Sequence, residues 1–422
     1  MKDTLGVLLA GGAGERLYPL TRDRAKPAVT FGGIYRIIDI TLSNCLNSNL
    51  RRVYILTQYK ALSLNRHIRE GWAIFGHEVG EFIEVLPPMQ RVSDQWYQGT
   101  ADAVYQNIYS IGSEQPKYVL VLSGDHIYKM DYGKMLQQHL DSAADLTLAT
   151  IQIDPSETHH FGVVDVDKDG RINGFEEKPK ETKLRYPQNP EKVAGSMGVY
   201  LFNYDVLIPV LLKDAEDSNS SHDFGKDILP KMVDIYRVFA YDFVDENKQE
   251  ARYWRDVGTL EAYYEANMDV VSVSPIFNLY DKAWPIRTHQ RQYPPAKFVF
   301  AEKDRMGTAL DSIVSNGCIV SGGTVKNSVL SPDVRINSYC EVDQSILFSH
   351  VTIGRYCRIR RAIIDRHVHL EEGTIIGYDA EADRQKYFVT DGGITIVTRE
   401  YSLFENPKSV SDPLQDLFPA DE

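Results

Sequence analysis

A chain of 422 residues is too long for one typical domain, so two or three are expected. Its 43% hydrophobic and 25% charged content is that of a soluble globular protein, and a net charge of −13 excludes broad association with nucleic acid or an anionic membrane. Any anion site must therefore be a local cationic pocket. Cys45, Cys318, Cys340 and Cys357 form no C-x-x-C pair, so neither a zinc site nor a disulfide framework is suggested. No apolar stretch reaches 18 residues and the N-terminal run is too short for a signal peptide, so no membrane partner and a cytoplasmic location are expected.

The first predicted element is Leu5–Ala10, an apolar run of the length of a strand buried on both faces. Gly11, Gly12 and Gly14 follow, where glycine permits positive φ and close approach of another group. Arg16 and Lys26, the latter just before Pro27, supply cations. Backbone N–H groups and these cations suit a polyphosphate. The loop is neither G-x-x-x-x-G-K-[ST] nor G-x-G-x-x-G, since Arg16 and Leu17 stand where the last glycine is needed. A phosphate cradle and an ordinary strand-to-loop turn both remain open from these residues alone.

Further strands are predicted at Val53–Thr57, Tyr118–Ser123 and Leu146–Ile151, with helical segments at Lys60–Arg69 and Thr100–Ile111 between them. This alternation predicts an α/β fold with a mostly parallel sheet, whose ligands sit beyond the carboxyl ends of the strands. Thr100, after Gly99, reads as a helix N-cap, and the aromatic pair Trp96-Tyr97 ahead of it suits base stacking or core packing. Tyr118–Ser123 runs into Gly124-Asp125-His126, which places Asp125 to hold Mg²⁺ on phosphates or to act as a polar turn. Lys178, before Pro179, is a point charge suited to a monophosphate or a solvated surface lysine. Asp256, in Tyr-Trp-Arg-Asp-Val-Gly-Thr, is a candidate second carboxylate that sequence spacing cannot pair with Asp125.

Residues 271–305 change character, with Ser-Pro, Trp284-Pro285 and Pro294-Pro295 breaking any long element, and read as an ordered linker between 1–270 and 306–400. Apolar residues then stand at Ile313, Ile319, Val325, Leu330, Ile336, Val342, Leu347, Ile353, Ile359, Ile364, Leu370 and Ile376. The repeated 6, 6, 5 spacing gives 17 residues per coil and three inward rows, a three-sided parallel β-helix of about four coils. Arg355, Arg358, Arg360, Arg361 and Arg366 form a basic cluster within it, read either as solvated turns or as an anion site. Residues 401–422 are an acidic tail.

Residues 5 to about 400 resemble the sugar-nucleotide pyrophosphorylases. The motifs are G-G-x-G-x-R-L, W-Y-x-G-T-A-D-A, G-D-H-I-Y, E-K-P, S-H-D-F-G-K-D and Y-W-R-D-V-G-T. The R-A-K-P-A-V ending is most similar to the ADP-glucose pyrophosphorylases, which are glucose-1-phosphate adenylyltransferases of bacterial glycogen synthesis. The resemblance implies a Rossmann-like nucleotidyltransferase domain followed by a left-handed β-helix for regulation and oligomerisation. It implies Mg²⁺-dependent transfer of AMP from ATP to glucose 1-phosphate, with pyrophosphate as the second product. Arg16, Lys26 and Asp125 would be catalytic, with Asp125 and Asp256 on the metal. Gly162, Glu177, Lys178, Ser196 and Asp256 would bind glucose 1-phosphate. Gly11, Gly12, Gly14, Tyr97, Gly99 and Thr100 would bind the nucleotide. A sugar-phosphate activator and an AMP-like inhibitor are implied, with Arg24, Arg36, Arg360, Arg361, Arg399 and Trp96 allosteric, in a homotetramer. Asp23 and Thr30 depart from close relatives, and a negative charge at Asp23 disfavours a bisphosphate activator. Three alternatives stand beside this: a pyrophosphorylase using UTP, dTTP or GTP; a non-catalytic regulatory subunit of the same fold; and an acyltransferase using His350, His367 or His369.

Overall fold

The first strand, β1 (Thr4–Ala10), lies inside a sheet because both its faces are apolar. Leu5 and Val7 join one hydrophobic core, and Leu8 and Ala10 join another on the opposite face. Full burial of each Leu or Val side chain stabilises by roughly 1.5–3 kcal/mol. The computed structural model describes residues 1–12, 14–88, 96–187, 189–248 and 252–399. They fall into two compact units, Met1–Gln292 and a second beginning at Tyr293.

After β1 the first unit continues through a hairpin of β2 (Thr30–Phe31) and β3 (Tyr35–Arg36) into α1 (Ile37–Asn47), β4 (Arg52–Thr57), α2 (Leu62–Gly71) and β5 (Phe82–Leu86). Helices α3 (Thr100–Gln106) and α4 (Ile108–Ser113) lead to β6 (Tyr118–Ser123), β7 (His126–Tyr128) and α5 (Tyr132–Asp141). Then come β8 (Leu146–Ile153), β9 (Gly162–Val166), β10 (Ile172–Glu177) and β11 (Val193–Asn203), followed by α6 (Tyr204–Ala215) and α7 (Leu229–Val233). The unit closes with β12 (Val238–Asp242), β13 (Trp254–Asp256) and α8 (Leu260–Val271). Among the described residues, nine strands form one sheet with the path β10-β9-β11-β6-β1-β4-β5, while β8 branches from β11 and β12 pairs with β8. Strands β6, β1, β4 and β5 run parallel, whereas β11 is antiparallel to β6, β8 and β9. The carboxyl ends of β1, β4 and β6 therefore open on one edge.

The predicted linker divides at Gln292: residues 271–292 belong to the first unit. Trp284 Nε1 donates to Asn44 Oδ1 (2.8 Å), the Arg287 N–H to Ser43 Oγ (2.8 Å) and Thr288 Oγ1 to Asp39 Oδ2 (2.6 Å). Asp39 is fully buried on α1 and also accepts from Trp72 Nε1 (2.8 Å), while His67 Nε2 lies 2.6 Å from Oδ1.

The second unit is a three-sided parallel β-helix. Its described strands form two five-stranded sheets and one six-stranded sheet that stack rungs from successive coils, besides a small antiparallel pair of Ala301–Glu302 with Arg305–Met306. From Val325 to Ile376 the predicted inward positions all lie in one core. The first coil corrects two of them. Val314 pairs with Leu330 and Val320 with Ile336, so Val314 and Val320 take the inward places expected of Ile313 and Ile319. Each pair is Ile-Val in sequence, and a one-residue slip exchanges the faces of a strand. Corners repeat non-glycine left-handed residues, as at Asn327 (φ 44°), Gln344 (47°) and Arg361 (46°). In the six-stranded sheet the last parallel rung, Thr395–Val397, is followed by Phe388–Val389 paired antiparallel to it.

Candidate active site

The glycine turn after β1 opens a cleft of ≈ 630 Å³ at the carboxyl ends of β1, β4 and β6. Gly11, Gly12 and Gly14 line it together with Arg16, Lys26, Tyr97, Gly99, Thr100 and Asp125. Gly14 adopts φ 69°, a conformation that favours glycine. At Gly11 a Cβ would stand 3.2 Å from Gln58 Cβ, so the turn lies close against β4's end.

Lys26 is the centre of the charge arrangement. It is only 7% exposed, and its Nζ donates to Asp125 Oδ2 (2.7 Å) and to Asp256 Oδ1 (3.1 Å). Burial opposes charge on Lys26, but Asp125 and Asp256 outweigh it and hold the ammonium above its usual pKa. Burial likewise pushes the Asp125 carboxyl up, and the charges of Lys26 and then His126 reverse this and hold it well below the usual carboxylate range. Ser123 Oγ also donates to Asp125 Oδ1.

The two aspartates, far apart in sequence, meet through a two-stranded ribbon. β7 pairs antiparallel with β13, with Asp256 opposite His126 and Trp254 opposite Tyr128. Asp125 immediately precedes β7, so the register sets both carboxylates side by side. One ligand atom from each of Asp125, His126 and Asp256 lies within 4.8 Å of the others. Two carboxylates that share one ammonium are a cation-holding pair, and their oxygens suit a hard divalent ion. Arg16, 69% exposed at its side chain, reaches to 4.0 Å from Asp256 Oδ2. Gly258 leaves room there, since a Cβ would lie 2.9 Å from Asp256 Oδ2 and 3.0 Å from Arg16 Nη2.

On the α3 side the expected cap is corrected. Gly99 occupies the N-cap position and Thr100 is the first helical residue. Any Cβ at Gly99 would lie 2.2 Å from the His222 carbonyl oxygen, which accepts from the Ala101 N–H (2.8 Å). Thr100 Oγ1, instead of capping, donates to Asp223 Oδ2 (3.0 Å) and accepts from the Phe224 N–H (3.0 Å). Tyr97 packs on the core and its OH accepts from Asn107 Nδ2 (2.9 Å). Trp96 is 58% exposed and stacks on Tyr59 at 5.6 Å.

Of the residues expected at the sugar, Asp256 ends β13, and the others lie on or directly after β9, β10 and β11. Glu177 ends β10 opposite Gly162 on β9. Lys178 follows with φ 46°, its N–H bonded to the Phe161 carbonyl (3.0 Å) and its Nζ 3.4 Å from Glu177 Oε1. Ser196 stands on β11 where the pairing with β8 shifts, and its Oγ accepts from the Gly198 N–H (3.3 Å). Trp254 joins His126 and Phe161 in an aromatic cluster with ring centroids 4.8 and 5.2 Å apart.

The candidate allosteric residues divide between the units. In the first, Arg24 is buried and Arg36 Nη1 donates to the Ala28 carbonyl (2.7 Å). In the second, Arg360 Nε lies 4.0 Å from Asp343 Oδ2, Arg361 Nη2 donates to the Gly392 carbonyl (3.0 Å), and Arg399 is the last described residue. The acidic tail 401–422 lies outside the described residues. His350 and His367 stack at 4.7 Å, with His350 Nδ1 2.9 Å from Asp333 Oδ2.

Gln58, Asp223 and Gly258 also line the cleft, and sequence reading assigned none of them a role. Asp223 had a signal, the S-H-D-F-G-K-D motif. Gly258 likewise stands in the Y-W-R-D-V-G-T motif, whereas Gln58 had only its place after β4.

A family model described as nucleotidyl transferase matches residues 5–273, and one described as GlmU-like, C-terminal hexapeptide matches residues 294–397. The second agrees with the left-handed class of parallel β-helix. The chain is 78% identical, over 97% of its length and 99% of the relative's, to a protein of Koribacter versatilis (strain Ellin345) named glucose-1-phosphate adenylyltransferase. Relatives with the same name in Rhodopirellula baltica and Shewanella sp. (strain ANA-3) are 54% and 53% identical. Those matches cover 99% and 94% of this chain and 95% of each relative.

Proposed function

The chain belongs to the nucleotidyl transferase family, in its glucose-1-phosphate adenylyltransferase branch, and on that premise we propose that it makes ADP-glucose and pyrophosphate from ATP and glucose 1-phosphate. The observation that carries the reading is Lys26, on the wall of the glycine-turn cleft, bonded to both Asp125 and Asp256. A phosphate oxygen of glucose 1-phosphate attacks the α-phosphorus of ATP. The bond from that phosphorus to the oxygen bridging to the β-phosphorus breaks, and pyrophosphate leaves with the electron pair. No covalent enzyme intermediate is needed, so catalysis is positioning plus stabilisation of developing charge.

Gly11, Gly12 and Gly14 cradle the triphosphate, and Tyr97, Gly99 and Thr100 seat the nucleoside side. Arg16 and Lys26 neutralise the phosphates being separated. Lys178 holds the nucleophilic phosphate. Glu177, with Gly162 and Ser196, receives the sugar, and Asp256 lies near it. Asp125 and Asp256 hold Mg²⁺, which when bound supplies positive charge to the phosphate oxygens. Arg24, Arg36 and Trp96 in the first unit, and Arg360, Arg361 and Arg399 in the second, serve binding of a sugar-phosphate activator and an AMP-like inhibitor. Asp23, 3.0 Å from Arg22 Nε, disfavours a bisphosphate activator. The product feeds bacterial glycogen synthesis in the cytoplasm, in a homotetramer. Among the described residues no helix is long and apolar enough to cross a membrane.

The test is product analysis with glucose 1-phosphate, Mg²⁺ and each of ATP, UTP, dTTP and GTP, repeated with a set of sugar phosphates and with AMP. ADP-glucose as the main product is expected, and UDP-glucose in its place overturns the assignment.

A further inference from the structure

On the reading that Glu177 contacts the sugar, we propose that Gly225 is the positioning residue that sets where the Glu177 carboxylate stands, and so governs selectivity for the sugar. The carboxylate occupies a slot between two backbones that lack Cβ atoms. From one side a Cβ at Gly162 would lie 3.0 Å from Glu177 Oε2. From the other a Cβ at Gly225 would lie 2.6 Å from the same oxygen and 3.0 Å from Glu177 Cδ. These distances are shorter than van der Waals contact permits. One partner must move if Gly225 gains a methyl group.

The backbone at Gly225 is the fixed partner. Its N–H donates to Asp223 Oδ1 (2.9 Å), and the other oxygen of Asp223 accepts from Thr100 Oγ1 (3.0 Å). The N–H groups of Ser221 and Asp223 both donate to Asp227 Oδ2 (3.1 Å). Phe224, the preceding residue, is buried in the core. Glu177 is the movable partner, a carboxylate at the end of a flexible side chain. Gly225 lies in a short π-helical turn, Phe224–Ile228, without the positive φ that would bar alanine, and alanine is the better residue in helical backbone. Glycine at this position therefore costs stability, and its gain is the space it leaves for the carboxylate. Gly162 cannot be tested as cleanly, because its Cβ would also strike the Phe175 ring at 2.4 Å.

The experiment compares wild type, Gly225→Ala, Glu177→Ala and the double variant by melting temperature and steady-state kinetics. Gly225→Ala is expected to melt at or above the wild-type temperature. Its kcat/KM for glucose 1-phosphate at saturating ATP should fall about tenfold to a hundredfold, the scale of a disturbed hydrogen bond to a charged group. The KM for ATP should stay within about twofold, and discrimination against galactose 1-phosphate should shrink. In the Glu177→Ala background, where the contacts at 2.6 and 3.0 Å are gone and only Asp223 Oδ1 stays close to the new Cβ, at 3.3 Å, Gly225→Ala should add little. Unchanged sugar kinetics in Gly225→Ala, equal rises in both KM values, or full additivity with Glu177→Ala each overturn the proposal. Glu177→Ala with normal sugar kinetics overturns the role of Glu177 itself, and a wild type that forms no ADP-glucose overturns the underlying reading.

Discussion

Lys26 shows what a residue type can and cannot disclose. Its charge, beside a proline and downstream of a glycine turn, made it legible as a candidate cation of the cleft that the turn opens. Its contacts with two carboxylates were not, because they depend on the register between β7 and β13. No local pattern encodes which strand will lie beside which. Asp125 was legible as an acid at a strand's carboxyl end, and Asp256 could be joined to it only by resemblance. Asp125→Asn keeps the size of the side chain and removes its charge, so it should fold normally and lose about two to three orders of magnitude in kcat. Turnover within tenfold of wild type, in a variant with an unchanged melting curve, would remove Asp125 from the chemistry.

At the scale of elements, the start of α3 and the segment 221–227 act as one piece. The Ala101 N–H bonds to the His222 carbonyl and Thr100 bonds to Asp223, so the helix start is capped by a segment more than a hundred residues downstream. This explains why the capping expectation failed: the local rule puts Thr at the N-cap, but the space there belongs to another backbone. A Gly99→Ala change meets carbonyl oxygens of Ser221 and His222 at 2.5 and 2.2 Å, neither of which is a flexible end. It should lower stability by about 1–3 kcal/mol, the usual cost of overpacking, and raise the KM for ATP. Urea titration and ATP kinetics check both, and wild-type values in each would show that the helix start can shift freely. The β-helix offers the opposite lesson. Its three rows were legible because parallel coils repeat with a fixed period, and the errors fell only where Ile and Val stand side by side.

For the whole molecule, one contribution to stability against acid comes from Asp39, which ties α1 to α2 and to the segment ending the first unit. Burial pushes its carboxyl up, but His67, Thr288 and the Arg36 N–H outweigh this and hold it below its ordinary value. A depressed folded pKa means that the unfolded chain binds the proton more readily. The stabilisation is therefore present above about pH 4, the ordinary carboxyl range, and is lost as pH falls through the lower folded value. Asp39→Asn leaves buried partners poorly matched and should cost about 3 kcal/mol near neutrality. Its urea midpoint should then vary less than wild type's between pH 5 and 3, and parallel curves would show that Asp39 is not the group responsible.

The antiparallel strand Phe388–Val389 at the last rung of the six-stranded sheet carries a consequence of its own. A stack of identical parallel rungs is an open template, and its terminal N–H and C=O groups invite another chain to continue the stack. Reversing the final strand turns that template aside on this one of the three sheets. Removing residues 380–399 should expose a growing edge on that sheet and produce concentration-dependent fibrillar aggregation, read by light scattering and thioflavin fluorescence. A truncated protein that stays dispersed would show that the hairpin is not what ends the stack.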